Sequence, residues 1–329
     1  MALPTDTYET FDAKGLREDL SDIIYAIDST ETPFMMMAGR ETASGIKHEW
    51  QVDQLSAAAA NAQIEGDDPS INAAVPTVRV SNHCQISSKT VAVTGTLEAV
   101  DKAGRESELS YQLAKRSKEL KRDIEHTCVG VNNSAVARTN DGAAAGEAAS
   151  VSAFFDTALA GSGTLLGTHQ SRSGSTEGGW SGSLFAATAG TPALRALLES
   201  DLKSVIQGAW TNGGNPSVVM TGPFNKTVIS SFTGNSTRFD KGEDKRLTAS
   251  IDVYVSDFGE HTVVANRFQA TNQVFAFTPE LWSLAYLRDF RQHALSKTGD
   301  SEKRQLLCEW TIVGRNQSGN GVVDDLTAS

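Results

Sequence analysis

The chain has 329 residues, of which 39% are hydrophobic, and this length is enough for a large core divided among two or three structural regions. Its formal net charge of -11, without a basic tract outside one helix, argues against a protein that reads nucleic-acid sequence. No run approaches 18 apolar residues, and the first fifteen residues do not resemble a signal peptide, so neither a membrane span nor secretion is expected.

The N-terminal region is expected to be an arm with little core of its own. Residues 1–14 are polar and irregular. A short amphipathic helix is predicted from Gly15 to a point before Pro33, with its apolar face formed by Leu16, Leu20, Ile23, Ile24 and Ile27. Phe34 to Met37 follow as a compact apolar cluster.

The next region changes to the two-residue period of a β-strand. Between Gly45 and Leu55, apolar and polar residues alternate, which predicts a half-exposed strand. About twenty small and polar residues follow, with turn residues near Gly66, before strand-like sequence returns at 77–80 and 85–94. Two strands with such a connection predict a long hairpin. The sequence fits an arm that reaches away from the body, and it also fits a loose surface loop.

A long amphipathic helix is predicted from Ser107 to Val131. Its apolar residues repeat at steps of three, four or seven, which places them on one face. They are Leu109, Leu113, Leu120, Ile124, Cys128 and Val131. At 1.5 Å per residue the helix would be on the order of 37 Å long, which favours a spine against which a sheet packs.

The composition shifts after this helix, because residues 132–190 are rich in Ala, Gly, Ser and Thr. Linkers rarely carry many large apolar side chains, so we interpret this stretch as an ordered, loop-rich insertion. Its aromatic residues would hold it against the body. They include Phe154, Phe155, Trp180 and Phe185.

Residues 191–270 predict a compact α/β unit, and the remaining residues are mostly β. Thr191-Pro192 is typical of a helix start, and Gly213-Gly214 of its end. A strand at 217–221, a helix opened by Pro223 and strands at 251–255 and 262–265 complete the unit. Further strands are predicted at 273–277, 282–290 and 306–313.

Few residues combine into a pattern that could carry chemistry. Ser200 and Lys203 have the spacing of some acyl-enzymes, but they fall in mid-helix. His83-Cys84 and the pair Asp123 and His126 are too small as groups for a zinc site. The glycine-rich stretches lack the lysine and helix of a phosphate loop. We expect no catalytic residue, cofactor or metal, and three free thiols in a reducing compartment, at Cys84, Cys128 and Cys308.

The order of these parts resembles the Hong Kong 97-type major capsid proteins of tailed phages, in particular the branch exemplified by phage SU-ten. The resemblance spans most of the chain and is weakest over 132–190. The motifs that carry it are Thr32-Pro33-Phe34, Glu49-Trp50, Asp53-Gln54-Leu55, Asn266-Arg267-Phe268, Val274 to Phe277, Trp282, Lys297 to Asp300 and Glu309 to Ile312.

The resemblance implies an α+β capsid fold with five regions. They are an N-terminal arm (1–39), an extended β-hairpin or E-loop (40–95), a P-domain spine helix with the Gly/Ala/Ser-rich insertion (96–190), an α/β A-domain (191–270) and a P-domain β-sheet with the C-terminus (271–329). As contacts between subunits we predict Trp50, Ile64, Asp67, Arg116, Lys118, Arg122 and Trp180.

The resemblance also implies partners and a location. Copies of the chain would form hexamers and pentamers in an icosahedral virion shell around double-stranded DNA, together with a portal. A charged N-terminal extension is not apparent, so either a separate scaffold protein exists or an extension has been cleaved, and a decoration protein stays open. Two alternatives remain: an encapsulin-like compartment that holds a cargo enzyme, and an enzyme with a dispersed active site.

Overall fold

A computed structural model describes residues 29–53, 55, 58–66, 68, 77–102, 104–130, 135–139, 144–155, 170–171, 180–181, 184–185, 194–232 and 252–327. The helices are α1 (Pro33–Met37), α2 (Gly95–Ala99), α3 (Glu108–Val129), α4 (Glu199–Thr211) and α5 (Pro223–Ser230). The strands are β1 (Gly39–Thr42), β2 (Lys47–Val52), β3 (Val78–His83), β4 (Gln85–Thr94), β5 (Gln170–Ser171), β6 (Trp180–Ser181), β7 (Leu184–Phe185), β8 (Val218–Thr221), β9 (Val253–Ser256), β10 (Gly259–Ala265), β11 (Val274–Phe277), β12 (Trp282–Ala294), β13 (Ser301–Gly314) and β14 (Gly321–Val323). The N-terminal helix predicted between Gly15 and Pro33 lies almost entirely outside the described residues.

The predicted long helix is confirmed as α3. It starts where the Ser107 side chain accepts a hydrogen bond from the Ser110 N–H, while a Glu98 carboxylate oxygen accepts one from the Glu108 N–H. Its apolar face is buried in the second half of the helix, at Leu120, Ile124 and Cys128. The helix lies against β4 and β13, so it does support a sheet as the apolar stripe predicts.

That sheet has four strands in the order β1-β12-β13-β4. β1 runs parallel to β12, and the other neighbours are antiparallel. The closing hairpin of β12 and β13 is longer than predicted and extends to Ala294 and Ser301. The distal half of β12 is mostly exposed. Because it has few apolar residues, the sequence pattern predicts a strand that ends too early.

A second sheet has six strands in the order β5-β14-β11-β8-β10-β9. β11 lies between β14 and β8 and is buried at all four positions, as expected for a central strand. β11 and β14 come from the region beyond residue 271, which we assigned to the P-domain sheet. The sheets therefore do not divide at residue 271, because the chain returns to complete the sheet that residues 218–265 begin.

α4 begins at Glu199, later than the start predicted at Thr191-Pro192, which itself lies outside the described residues. Residues 194–198 are not helical. Arg195 forms a β-bridge with Leu326 and exchanges backbone hydrogen bonds of 2.9 Å with Asp325 and Thr327. Leu194 and Leu198 are 60% and 56% exposed. Pairing with the C-terminal segment thus overrides the local helical signal until Glu199.

The predicted hairpin is present, but it consists of β2 and β3 alone and does not include the strand at 85–94. β2 and β3 pair antiparallel from Lys47 with His83 to Val52 with Val78. The strand at 85–94 leaves this hairpin and becomes the edge strand β4 beside β13. The strand-pairing partner changes at Cys84, which is buried. β3 and β4 therefore follow each other along the chain but belong to two different sheets.

The two largest of three apolar clusters among the described residues fill the space around the sheets. One joins α1, α3, the four-stranded sheet and one face of the six-stranded sheet, and it includes Phe34, Phe154, Phe155, Trp282 and Trp310. The other joins α4 and α5 to the opposite face of the six-stranded sheet. Within the glycine-rich region, Phe154 and Phe155 are core residues, which confirms the predicted anchoring for this part of the insertion. The three cysteines are free and buried.

Candidate assembly surface

The base of the β2–β3 hairpin is fixed rigidly to the body. The Trp50 indole stacks on the Phe154 ring at a centroid distance of 6.3 Å, and its Nε1–H donates to the Gly314 carbonyl over 3.0 Å. Gly314 passes so close that a Cβ there would lie 2.9 Å from the Phe154 ring. Trp50, predicted as a contact between subunits, is half-buried inside its own subunit, and an assembly role stays a prediction.

Asn82 holds the return strand in place. Its Oδ1 accepts hydrogen bonds from the Ala149 and His83 N–H groups, and its Nδ2 donates to the Ile312 carbonyl over 3.1 Å. One buried amide therefore joins β3, β13 and the loop before Val151. Burial also lowers the pKa of His83, with a further contribution from the Lys47 charge, which favours the neutral ring.

The distal part of the arm is exposed wherever the structure describes it, at residues 55, 58–66 and 68. Leu55 is 93% exposed and Ile64 is 79% exposed. Gly66 has a φ of +83°, so the chain turns there in a conformation that favours glycine. Asp67, the other predicted contact at this turn, lies outside the described residues. The arm presents apolar side chains that its own subunit does not cover.

The charged face of α3 is partly occupied within the subunit. Arg116 forms an ion pair with Glu119 one turn later, at 2.5 Å. The Arg122 guanidinium lies 5.4 Å from the centre of the Phe268 ring. Lys118 is exposed. For Trp180 the structure describes only the backbone, which pairs with Phe185 in the β6–β7 hairpin. The predicted intersubunit contacts of these four residues stay predictions.

Glu125, which is not among the residues predicted from the sequence, is a fully buried carboxylate on the apolar side of α3. Oε1 accepts hydrogen bonds from the Phe34 N–H at 2.7 Å and the Asn266 Nδ2 at 2.6 Å, and Oε2 accepts one from the Met35 N–H at 2.9 Å. Burial raises the pKa of Glu125, and these three hydrogen bonds oppose that shift. Glu125 lies three residues before Cys128 and so shares a face with the apolar stripe, but this spacing alone does not distinguish it from an exposed glutamate.

The residues that we considered as candidates for catalysis or metal binding form ion pairs or are buried. Lys203 forms an ion pair with Glu199 at 2.8 Å on α4, and Asp123 forms one with Lys89 at 2.6 Å. Burial raises the pKa of the Cys84 thiol to about 11, which makes it a weak nucleophile and metal ligand. Within the part of the chain that the structure describes, no group of three or more His, Cys, Asp or Glu could hold a metal ion. None of the helices described there is long and apolar enough to cross a membrane.

A long helix against a four-stranded sheet, a six-stranded sheet flanked by helices and a projecting hairpin make up a Hong Kong 97-like capsid fold, as expected from the sequence. The fold is similar to the capsid protein of cyanophage A-1(L), with a TM-score of 0.62, 13% identity and coverage of 97% of this chain and 98% of the other. It is equally similar to the capsid of a native GTA particle, with a TM-score of 0.62, 9% identity and the same coverage.

The sequence comparisons identify the family. A family model described as the SU10 (SU-ten) major capsid protein matches residues 3–327, so the chain belongs to that family. It is also 26% identical to the major capsid protein of Escherichia phage Phieco32 over an alignment of 358 positions, gaps included, which covers 98% of this chain and 97% of the relative. The protein is therefore a phage major capsid protein, a structural component of the virion shell.

Proposed function

We propose that copies of this chain assemble into hexamers and pentamers of an icosahedral shell through the β2–β3 arm, which lies over a neighbouring subunit. The observation that carries the proposal is the contrast within the arm. Its base is fixed to the body by Trp50 and Asn82, whereas Leu55 and Ile64 in the distal part are 93% and 79% exposed. A rigid base with an uncovered apolar tip suits a contact with a second copy of the chain.

The energetics favour assembly by repetition. Burying a Leu or Ile side chain stabilises a contact by about 1.5–3 kcal/mol, so a single arm would bind weakly. In a closed symmetric shell each subunit both gives and receives such a contact. Many modest contacts then act together and give a stability that no single interface provides.

The shell encloses double-stranded DNA without sequence-specific binding in this proposal, and a portal occupies one position in it. The net charge of -11 supports loose contact with DNA, because an acidic protein does not neutralise many phosphates. A scaffold protein would direct assembly in this proposal, and the subunits would be made in the host cytoplasm. The three free cysteines are consistent with that reducing compartment.

Deletion of the arm tip, from Ala57 to Pro76, tests the proposal. We expect a folded, soluble subunit that forms no shells in electron micrographs, because the base contacts of Trp50 and Asn82 remain. As a matched control, replacing Ala58, Ala59 and Ala60 by serine keeps the arm length and should still give shells. Normal particles from the deletion would refute the arm assignment. An unfolded product would also contradict it, since the arm would then be part of the core.

A further inference from the structure

The buried Glu125 connects three segments that are distant in sequence. It belongs to α3, while its hydrogen-bond donors come from the start of α1 and from Asn266, which follows β10. Among the described residues, no Lys, Arg or His forms an ion pair with it. A buried carboxylate is costly unless its oxygens are satisfied, so all three N–H donors matter to the stability of this arrangement.

The donors on α1 depend on Glu125. The first N–H groups of a helix have no partner within the helix, and Thr32 at the cap position provides no side-chain hydrogen bond. Glu125 accepts from two of them, Phe34 and Met35, and thus replaces the missing cap. The Phe34 ring is buried between Phe277 and Trp282, at 5.7 and 6.2 Å. The Phe34 ring and the Glu125 carboxylate together hold residues 32–37 on the body.

The donor from Asn266 depends on the six-stranded sheet. The Asn266 N–H donates to the Thr221 carbonyl at the end of β8, over 2.8 Å. Its Oδ1 accepts from the Phe268 N–H at 3.0 Å, which fixes the plane of the amide. Movement of this sheet relative to α3 would therefore lengthen or break the bond between Asn266 and Glu125.

Oε1 is the acceptor for both Phe34 and Asn266, and this shared oxygen suggests a mechanical connection. We propose that Glu125 couples the docking of α1 to the position of the turn after β10, so that loss of either contact loosens the other. If Asn266 moves away, the carboxylate loses a donor and its burial becomes less favourable. The carboxylate is then more stable when it moves towards water, and this movement breaks its hydrogen bonds to the Phe34 and Met35 N–H groups. Such coupling is reciprocal.

Hydrogen exchange at single-residue resolution on the full-length chain tests this coupling. Asn266→Ala removes a side chain that does not form a hydrogen bond to α1. We expect exchange of the Phe34 and Met35 amides to accelerate at least about tenfold, since a hydrogen bond to a charged group contributes about 1.5–3 kcal/mol. In the reverse direction, Phe34→Ala should accelerate exchange of the Phe268 amide, which reports on Asn266.

The matched control is Gln269→Ala, which removes another buried amide from the same turn. Gln269 donates to the Met220 and Gln273 carbonyls and not to Glu125. It should leave exchange of the α1 amides within about twofold of the wild type. Equal acceleration by both variants would show general loosening and overturn the proposal. Unchanged Phe34 and Met35 amides in Asn266→Ala, with a faster Phe268 amide, would overturn it as well.

Glu125→Gln provides a second test if Asn266→Ala does not fold. The amide keeps the volume of the side chain but offers one acceptor oxygen and one NH₂ group. With that oxygen directed at Phe34 and Asn266, the NH₂ group faces the Met35 N–H. We expect the Met35 amide to exchange much faster while the Phe34 amide changes less. If the Phe34 and Met35 amides both exchange at their wild-type rates in this variant, Glu125 does not hold α1.

Discussion

The indole of Trp50 lies nearly parallel to the ring of Phe154, with an angle of 16° between the planes. The two residues are far apart in sequence, one on β2 and one in the glycine-rich region. Their contact joins the base of the arm to the core that contains Trp282. The base of the arm is therefore part of the folded subunit, while the described residues of the distal part are exposed and available for contact with a neighbour.

We predict that Trp50→Ala destabilises the subunit by about 2 kcal/mol, which is less than a full Trp deletion because the side chain is half-buried. The loss comes from the stacked ring and from the hydrogen bond to Gly314. Urea unfolding of the unassembled subunit measures it. Trp210→Ala is the control, since Trp210 is 54% exposed and should cost less than about 1 kcal/mol. Equal costs for the two variants would contradict the anchoring role of Trp50.

Ile64→Ser separates assembly from stability. The side chain is 79% exposed, so the free energy of unfolding of the subunit should change by less than about 0.5 kcal/mol. If a neighbouring subunit covers Ile64, the concentration needed for shell formation should rise about tenfold or more. Light scattering during assembly measures that concentration. Leu97→Ser, at an exposed residue outside the arm, should not change it, and an unchanged threshold for Ile64→Ser would exclude Ile64 from the contact.

Glu309 is the centre of a buried ion network. Its side chain is 3% exposed and lies between Arg288, at 2.7 Å, and Arg138, with which it forms a second ion pair. Arg138 also donates to the Cys84 carbonyl, so the network links β13, β12 and the loop at 135–139. We predict that Glu309→Gln costs about 2 kcal/mol, because it leaves two partly buried cations without a full counter-charge.

The control for Glu309 lies on the same strand. Glu302 forms an ion pair with Arg304 near the surface, where the side chains are 42% and 31% exposed. Glu302→Gln should therefore cost less than about 1 kcal/mol. Urea unfolding at low and high salt separates the two cases, since salt should reduce the effect of Glu302→Gln and change that of Glu309→Gln little. A Glu309→Gln variant as stable as the wild type would show that the network contributes no net stability.

The sequence predicts helices and strands correctly where the local preference of a segment agrees with its packing in the folded chain. The apolar stripe of α3 and the alternation around Trp50 predict elements that the structure confirms, and the order of the elements predicts the fold. The start predicted for α4 is too early because the backbone of Arg195 pairs with the C-terminal segment instead of forming a helix. Glu125 and Glu309 could not be recognised, because their partners are 91 and 171 residues away and a lone Glu usually lies at the surface.

We predict that His261 makes the stability of the subunit depend on pH. The ring is buried, its Nδ1–H donates to the Pro216 carbonyl, and its Nε2 accepts from the Ser256 hydroxyl over 2.6 Å. The carbonyl can only accept, so the neutral ring with its proton on Nδ1 fits this site. Burial lowers the pKa of His261, while the hydrogen bond to Pro216 opposes the shift.

Because this pKa is lower in the folded than in the unfolded chain, the unfolded chain binds more protons once the pH falls below about 6.5. Stability from neutral His261 is therefore present at pH 7.5 and is lost as the pH approaches 5. His261→Asn keeps a donor for Pro216 but does not titrate. We expect thermal unfolding scans to show a larger fall in Tm between pH 7.5 and 5 for the wild type than for this variant. His293→Asn, at an exposed position on β12, should behave as the wild type does. If His261→Asn loses as much stability on acidification as the wild type, the pH dependence arises elsewhere in the chain.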